Sequence, residues 1–194
     1  MQKKVQEHSQ KDIEIIPLSE ITASFTNKFN CGTKDLNDFL LEDALKQQKE
    51  SVNLTYLWMS KGKKEILAYI TLCSDSIHLF GEKKEEMKRI GISYKALPAL
   101  KICRMAVNKN HSNKGIGTKM IAFAINIVIE INKLCGCRFL TLEAKNEQNL
   151  SEDQKPVHFY KKTGFFVIKE RKQNSAYIPM YKDLKPLMNK FNEL

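Results

Sequence analysis

Asn110-His111-Ser112-Asn113-Lys114-Gly115-Ile116-Gly117-Thr118 separates two apolar stretches of different character. Upstream, Leu100–Val107 is short, apolar and β-rich, and reads as a central strand. Downstream, Met120–Leu134 is apolar on most faces of a helix and reads as a buried one, with Gly136 as its expected stop. Gly115 and Gly117 allow backbone N–H groups to turn inward and approach an anion closely. The helix that follows adds the positive end of its dipole at the same place. A diphosphate can be held there almost wholly by main chain, although Gly-x-Gly alone also fits a turn with no ligand. The loop is not a Walker loop, because no Gly-Lys-Ser/Thr follows at the required distance. It is also a poor dinucleotide fingerprint, lacking a third glycine and an acidic residue at the end of the next strand.

Further elements extend in both directions. Residues 1–11 read as a loose polar tail and Ile13–Leu18 as a first strand. Phe29-Asn30-Cys31-Gly32 reads as a turn, and Thr33 as a helix cap with Asp35 near the positive end. Leu36, Phe39, Leu40 and Ala44 continue at helical spacing. Val52–Met59 and Ile66–Leu72 form an expected hairpin around Ser60-Lys61-Gly62-Lys63-Lys64. Residues 81–98 read as a connection with at most one helical turn. Arg138–Ala144 is a strand, 146–156 a polar loop, and Val157–Thr163 a short helix stopped by Gly164. Phe165–Ile168 and Tyr177–Tyr181 are a last pair of strands. The strand–helix–strand over 100–144 implies a parallel pair with a right-handed crossover. The expected fold is α/β (α+β): a mixed, mostly antiparallel sheet with helices on both faces.

At 194 residues, one domain over 12–194 is expected, large enough to bury a core without disulfides. The net charge of +10 suits a polyanionic partner. Only Arg89, Arg104, Arg138 and Arg171 are arginine, so biased composition explains the charge equally well. Cys31, Cys73, Cys103, Cys135 and Cys137 are odd in number and fit reduced thiols. Cys135-Gly-Cys137 lacks a second pair at zinc spacing, so no metal is expected. Met1–Lys11 is polar, and Met120–Ile131 is about half the ~20 apolar residues a bilayer needs. The expectation is a cytoplasmic protein with no membrane partner.

The loop resembles the GNAT acetyltransferase superfamily, whose pattern is a strand, Gln/Arg-x-x-Gly-x-Gly/Ala, then a helix. Here it falls on Ser112-Asn113-Lys114-Gly115-Ile116-Gly117, with Ser112 in place of the usual Gln or Arg. Val157-His158-Phe159-Tyr160-Lys161-Lys162-Thr163-Gly164-Phe165 is similar to the family's FY-x-x-x-GF segment, and Ile178-Pro179-Met180-Tyr181 to its last strand. Together these span roughly residues 50–184. Phe29-Asn30-Cys31-Gly32 with Leu36, Phe39 and Leu40, and Arg104-Met105-Ala106-Val107, are similar to the branch containing toxins that acetylate aminoacyl-tRNA.

The resemblance implies an N-acetyltransferase that uses acetyl-CoA on a primary amine. It implies a splay beside Leu100–Val107, where the backbone of Met105, Ala106 and Val107 pairs with the pantetheine arm. Ser112, Asn113, Lys114, Gly115, Ile116, Gly117 and Thr118 would hold the diphosphate, and Asn146 is either a pantetheine contact or a turn residue. Tyr160 would lie at the cofactor thiol. Its phenol, with a reference pKa of about 10 against about 8.5 for a thiol, stays protonated at neutral pH and can serve the leaving sulfur. Glu143 is a candidate base whose strand face the sequence leaves open. Arg104, set in an apolar strand, is expected to be either ion-paired for structure or in contact with an acceptor phosphate. The branch resemblance adds tRNA and an antitoxin-like protein as expected partners, and a homodimer is a separate expectation. A non-catalytic sensor that keeps the pocket is disfavoured by the presence of Tyr160.

Overall fold

The computed structural model describes residues 13–61, 65–147, 149–151, 155–168 and 175–192. The expected N-terminal tail, part of the 60–64 turn and the basic run Lys169–Lys172 lie outside them. Seven strands are present among the described residues, in the order β1-β2-β3-β4-β5-β7-β6. They are β1 (Ile13–Pro17), β2 (Leu54–Ser60), β3 (Glu65–Ile77), β4 (Leu97–Val107), β5 (Phe139–Lys145), β6 (Phe166–Val167) and β7 (Tyr177–Asp183). β1 runs antiparallel to β2, β5 to β7, and β6 to β7. β4 and β5 are parallel, as the intervening helix requires. The sheet is therefore mixed and mostly antiparallel.

The chain divides into two compact units, Met1–Thr71 with Arg104–Gly117, and Leu72–Cys103 with Thr118–Leu194. β3, β4 and the helix Ile116–Asn132, whose first two residues fall in the first unit, contribute residues to both.

In the first unit, α1 (Glu20–Ala23) is capped by Ser19, whose side chain and backbone both bond Thr22. The next helix starts at Lys34 as α2 (Lys34–Asp38), widens to a π turn over Phe39–Asp43, and ends as α3 (Ala44–Lys49). Thr33 sits at the cap position, but its side chain makes no capping bond. Asn30 and Asn37 do that local work: Asn30 Oδ1 accepts from Gly32 N at 2.8 Å, and Asn37 Oδ1 from Cys31 N at 2.9 Å. The core here gathers Leu18, Phe29, Phe39, Leu40, Leu57, Ile66, Tyr69 and Ala106. Tyr69 meets Phe29 edge-on at 5.4 Å and donates its hydroxyl to Leu36 O at 2.7 Å.

In the second unit, α4 (Gly81–Arg89) is a full helix where sequence suggested one turn at most. Its pattern is mostly charged, so periodicity does not reveal it. Met87 alone is buried along it, packing with Ile77, Leu79, Leu97, Ala99 and Phe139. α5 (Ile116–Asn132) starts four residues before the expected Met120 and buries one stripe, Met120, Ile121, Ala124 and Val128. Gly136 is not its stop: the helix ends at Asn132, and Asn132 Oδ1 accepts from Cys137 N at 3.2 Å to close the turn. α6 (Pro156–Lys162) ends at Gly164, whose φ of 86° suits glycine. α7 (Lys185–Asn192), which the sequence reading did not include, follows β7. Asp183 ties this unit together, accepting from Arg138 Nε at 2.9 Å, Arg138 Nη2 at 2.7 Å and Lys83 Nζ at 2.6 Å.

Candidate active site

The loop after β4 is built on buried polar anchors. Asn108 is buried, donates its N–H to Leu67 O at 2.8 Å, and accepts from Asn110 N at 3.1 Å. Lys109 N donates to Asn30 O at 2.9 Å. His111 is also buried, its Nε2 3.1 Å from Glu65 Oε1. From this base Ser112, Asn113, Lys114 and Gly115 emerge exposed, while Ile116 turns back into the protein. Asn113 (φ 60°) and Gly115 (φ 73°) both take the left-handed conformation. Gly117 does not, and lies in the first turn of α5. Its value is an absent side chain, not an unusual backbone.

The first N–H groups of α5 have no carbonyl one turn back to bond. Beside them, a Cβ built on Gly115 would meet nothing within 4 Å. Exposed main-chain donors, a helix N-terminus and open space suit a diphosphate. Lys114 Nζ donates to Asn110 O at 3.2 Å, which braces the loop.

The parallel register runs from Ala99–Phe139 to Ile102–Leu142, and both strands continue past it, β4 to Val107 and β5 to Lys145. Ala106 is buried, with Met105 and Val107 half-buried on either side. Arg104 overturns the premise of a buried charge: it is exposed, with its guanidinium 5.4 Å from the Phe39 ring centroid. Glu143 is resolved as well. It lies between buried Leu142 and Ala144, faces outward, and pairs with Lys101 at 3.4 Å. An exposed, paired carboxylate is poorly suited to be a base. Asn146 holds the β5–β7 end, its N–H on Ala176 O at 2.9 Å and its Nδ2 on Ser175 O at 3.0 Å. Its side-chain oxygen has no partner among the described residues and can accept from an amide.

Tyr160 sits on α6, which packs against β5. Its ring is half-buried between Phe159 at 5.2 Å and Phe165 at 5.8 Å, both edge-on. Burial pushes its phenol up to about 12. The hydroxyl has no hydrogen-bond partner among the described residues. The backbone beneath it is pinned, because Tyr160 O accepts from Thr163 N at 3.1 Å, Phe165 N at 3.0 Å and Thr163 Oγ1 at 2.9 Å. This arrangement can donate a proton and stays protonated over the whole working pH range.

Met105–Val107 and Ser112–Gly117 thus share the first unit, while Thr118, Glu143, Asn146 and Tyr160 belong to the second. Sequence reasoning missed Asn108, His111, Glu65 and Asn30. The one available signal was the side-chain habit of Asn108, directly after an apolar strand, of bonding its own turn.

A family model described as an acetyltransferase (GNAT) domain matches residues 55–167. The chain belongs to the GNAT acetyltransferase family. As a GNAT enzyme it is an acetyl-CoA-dependent N-acetyltransferase, with acetyl-CoA as donor. Solved GNAT structures share its fold over nearly the whole chain. The toxin AtaT complexed with acetyl-methionyl-tRNAfMet is 24% identical, with a TM-score of 0.74, covering 93% of this chain and 99% of that one. A tyrosine-to-phenylalanine mutant of KacT is 23% identical, with a TM-score of 0.76, covering 93% and 99%. AtaTR bound with acetyl-CoA is 24% identical, with a TM-score of 0.73 and the same coverage as these two. No helix among the described residues is long and apolar enough to cross a membrane.

Proposed function

We propose that this GNAT domain, residues 12–194, transfers acetyl from acetyl-CoA to the amino group of aminoacyl-tRNA in the cytoplasm, and that an antitoxin-like protein restrains it. One observation carries the acceptor. The family model stops at residues 55 and 167, but the likeness to AtaT complexed with acetyl-methionyl-tRNAfMet extends over 93% of the chain. The elements outside the general domain are therefore shared with a protein seen on an acetylated aminoacyl-tRNA. The antitoxin follows the same line, since AtaT has been solved with the C-terminus of AtaR.

In this reading the main chain of Ser112–Thr118 holds the donor's diphosphate. Met105, Ala106 and Val107 pair with its pantetheine arm, and the Asn146 oxygen accepts from an amide of that arm. The neutral amine attacks the thioester carbon, the C–N bond forms and the C–S bond breaks. The Tyr160 hydroxyl donates to the departing sulfur. Its pKa near 12 lies about 3.5 units above the ~8.5 of a free thiol, so complete transfer to a solvated thiolate would be uphill by roughly 5 kcal/mol. The Tyr160 proton is therefore shared with the sulfur as charge develops on it and the C–S bond breaks, and solvent supplies the proton that the free thiol finally carries. With Glu143 exposed and paired, water takes the amine proton.

The structure narrows which lysines could steer tRNA. Lys83 is committed to Asp183 and Glu86, and Lys88 to Glu85. Lys161 and Lys162, next to Tyr160, are exposed and carry no ion pair among the described residues. The test is acetyl transfer to aminoacyl-tRNA at about 50 and 200 mM salt. A steep fall with salt, blunted by Lys161→Glu with Lys162→Glu, is expected. Turnover of a small amine with no transfer to any charged tRNA overturns the acceptor.

A further inference from the structure

β3 and β4 each carry a cysteine, and the two thiols meet. Cys103 Sγ lies 3.1 Å from Cys73 Sγ, and both residues are half-buried and outside any disulfide. The remaining cysteines differ. Cys31 Sγ is spent on Asn37 Oδ1 at 3.1 Å, Cys135 is exposed, and Cys137 is buried with its thiol pushed up to about 11 by that burial and by Cys135. A disulfide needs about 2.05 Å between sulfurs, so roughly 1 Å of approach would join Cys73 to Cys103.

We propose that Cys73 and Cys103 form a reversible oxidation site, closed to a disulfide by hydrogen peroxide, and that closing it weakens acetyl-CoA binding. One thiolate attacks peroxide, an S–O bond forms and the O–O bond breaks, releasing one water after protonation. The second sulfur then attacks that sulfenic sulfur. The S–S bond forms, the S–O bond breaks, and the hydroxide leaves with the second thiol's proton as another water. Two thiols are oxidised by two electrons and one peroxide is reduced to two waters. The position of Cys103 gives the closure a consequence. It directly follows Ile102, the last β4 residue in register with β5, and it directly precedes Arg104–Val107. A shift of about 1 Å there moves the strand where the splay opens. This consequence rests on the reading that Met105 and Val107 pair with the pantetheine arm.

The experiment uses the full chain with Cys135→Ser, which removes the exposed competitor. Peroxide-treated protein is mapped by peptide mass spectrometry, then titrated with acetyl-CoA by calorimetry before and after thiol reduction. The expected result is a Cys73–Cys103 crosslinked peptide and an affinity about tenfold lower, restored by reductant. Added Cys103→Ser, or Cys73→Ser if the first does not fold, should make binding indifferent to peroxide. Absence of the crosslinked peptide, or a crosslinked protein that binds acetyl-CoA as tightly as the reduced one, overturns the proposal. Reduced protein that fails to bind acetyl-CoA would count against the donor site instead, and the crosslink map would then decide the oxidation site alone.

Discussion

Replacing Tyr160 with Phe removes one hydroxyl and nothing else. The ring keeps its edge contacts with Phe159 and Phe165, and the backbone keeps the donors from Thr163 and Phe165. The lost hydroxyl leaves no protein group among the described residues without its partner. Stability should therefore change by less than about 1 kcal/mol. Acetyl-CoA affinity should hold, because the loop proposed to hold the diphosphate is untouched. On the proposed mechanism the variant loses a donor that acts as sulfur acquires charge, so turnover should fall by about 10²–10⁴-fold. The assay is steady-state release of free thiol, with calorimetric affinity and melting temperature measured on the same sample. Two patterns are diagnostic. Because burial holds the phenol near 12, the wild type should show no alkaline loss from Tyr160 until well above pH 10. With an activated thioester whose leaving group needs no proton, the gap between wild type and variant should shrink. A Tyr160→Phe enzyme that is as fast as wild type with a good acceptor would refute the assignment and leave Tyr160 as packing.

Other outcomes follow from the same geometry. Gly117→Glu puts a charged side chain on the first turn of α5, and calorimetry should find acetyl-CoA binding lost in a protein that still folds. Gly164→Ala forces a φ of 86° on alanine and sets a Cβ against Lys182 Nζ, which now donates to Thr163 O at 2.8 Å, so unfolding free energy should drop by about 1–2 kcal/mol. Asp183→Asn strips a half-buried carboxylate from Arg138 and Lys83 and should cost about 3 kcal/mol in chemical denaturation. Burial works against ionising Asp183, but bonds from Arg138, Lys83 and Lys185 N outweigh it and hold the carboxyl at about 2 rather than 3.8. A lowered pKa stabilises above 3.8, so about 2 kcal/mol should be lost as pH falls from near 4 through 2, and the asparagine variant should lack that acid step.

The strand–loop–helix at 100–132 was readable because each part carries its own signal: a β-rich run, glycines, then an apolar helix. The elements that escaped were those whose signal is tertiary. α4 has nine residues and a single buried one, so Met87 alone could not raise a helical period above a background of Lys and Glu. Gly136 misled for the opposite reason. Glycine after a helix is a good local cue, but here the side chain of Asn132 closes the turn and the glycine sits further on with an ordinary φ. Arg104 misled through its apolar neighbours: a strand alternates faces, and the residue between Cys103 and Met105 points out to solvent over Phe39.

The same division runs through the active site and sets what each kind of variant can reveal. On the proposed reading the donor is held by main chain, so the chemistry of that loop is encoded by what is missing, a side chain at Gly115 and Gly117, and glycines are conspicuous in a sequence. Holding that main chain in place is a different task. It falls to buried Asn108 and His111 and to the Lys109 N–H, whose partners Leu67, Glu65 and Asn30 lie some 40 to 80 residues away, so no local pattern announces them. Substituting Ser112 or Asn113 should then matter less than their place in the motif suggests, because their side chains are exposed and the proposed contact is through backbone. Asn108→Ala should matter more than its position outside the motif suggests. It deletes the acceptor for Asn110 N and the bond from Asn108 Nδ2 to Ile66 O, which frees the loop without touching the ligand. Calorimetry should find Asn108→Ala weakened for acetyl-CoA by about tenfold or more, at a stability cost of about 1–3 kcal/mol, with Ser112→Ala near wild type. The reverse order would mean that side chains in the loop, and not its scaffolded backbone, hold the diphosphate.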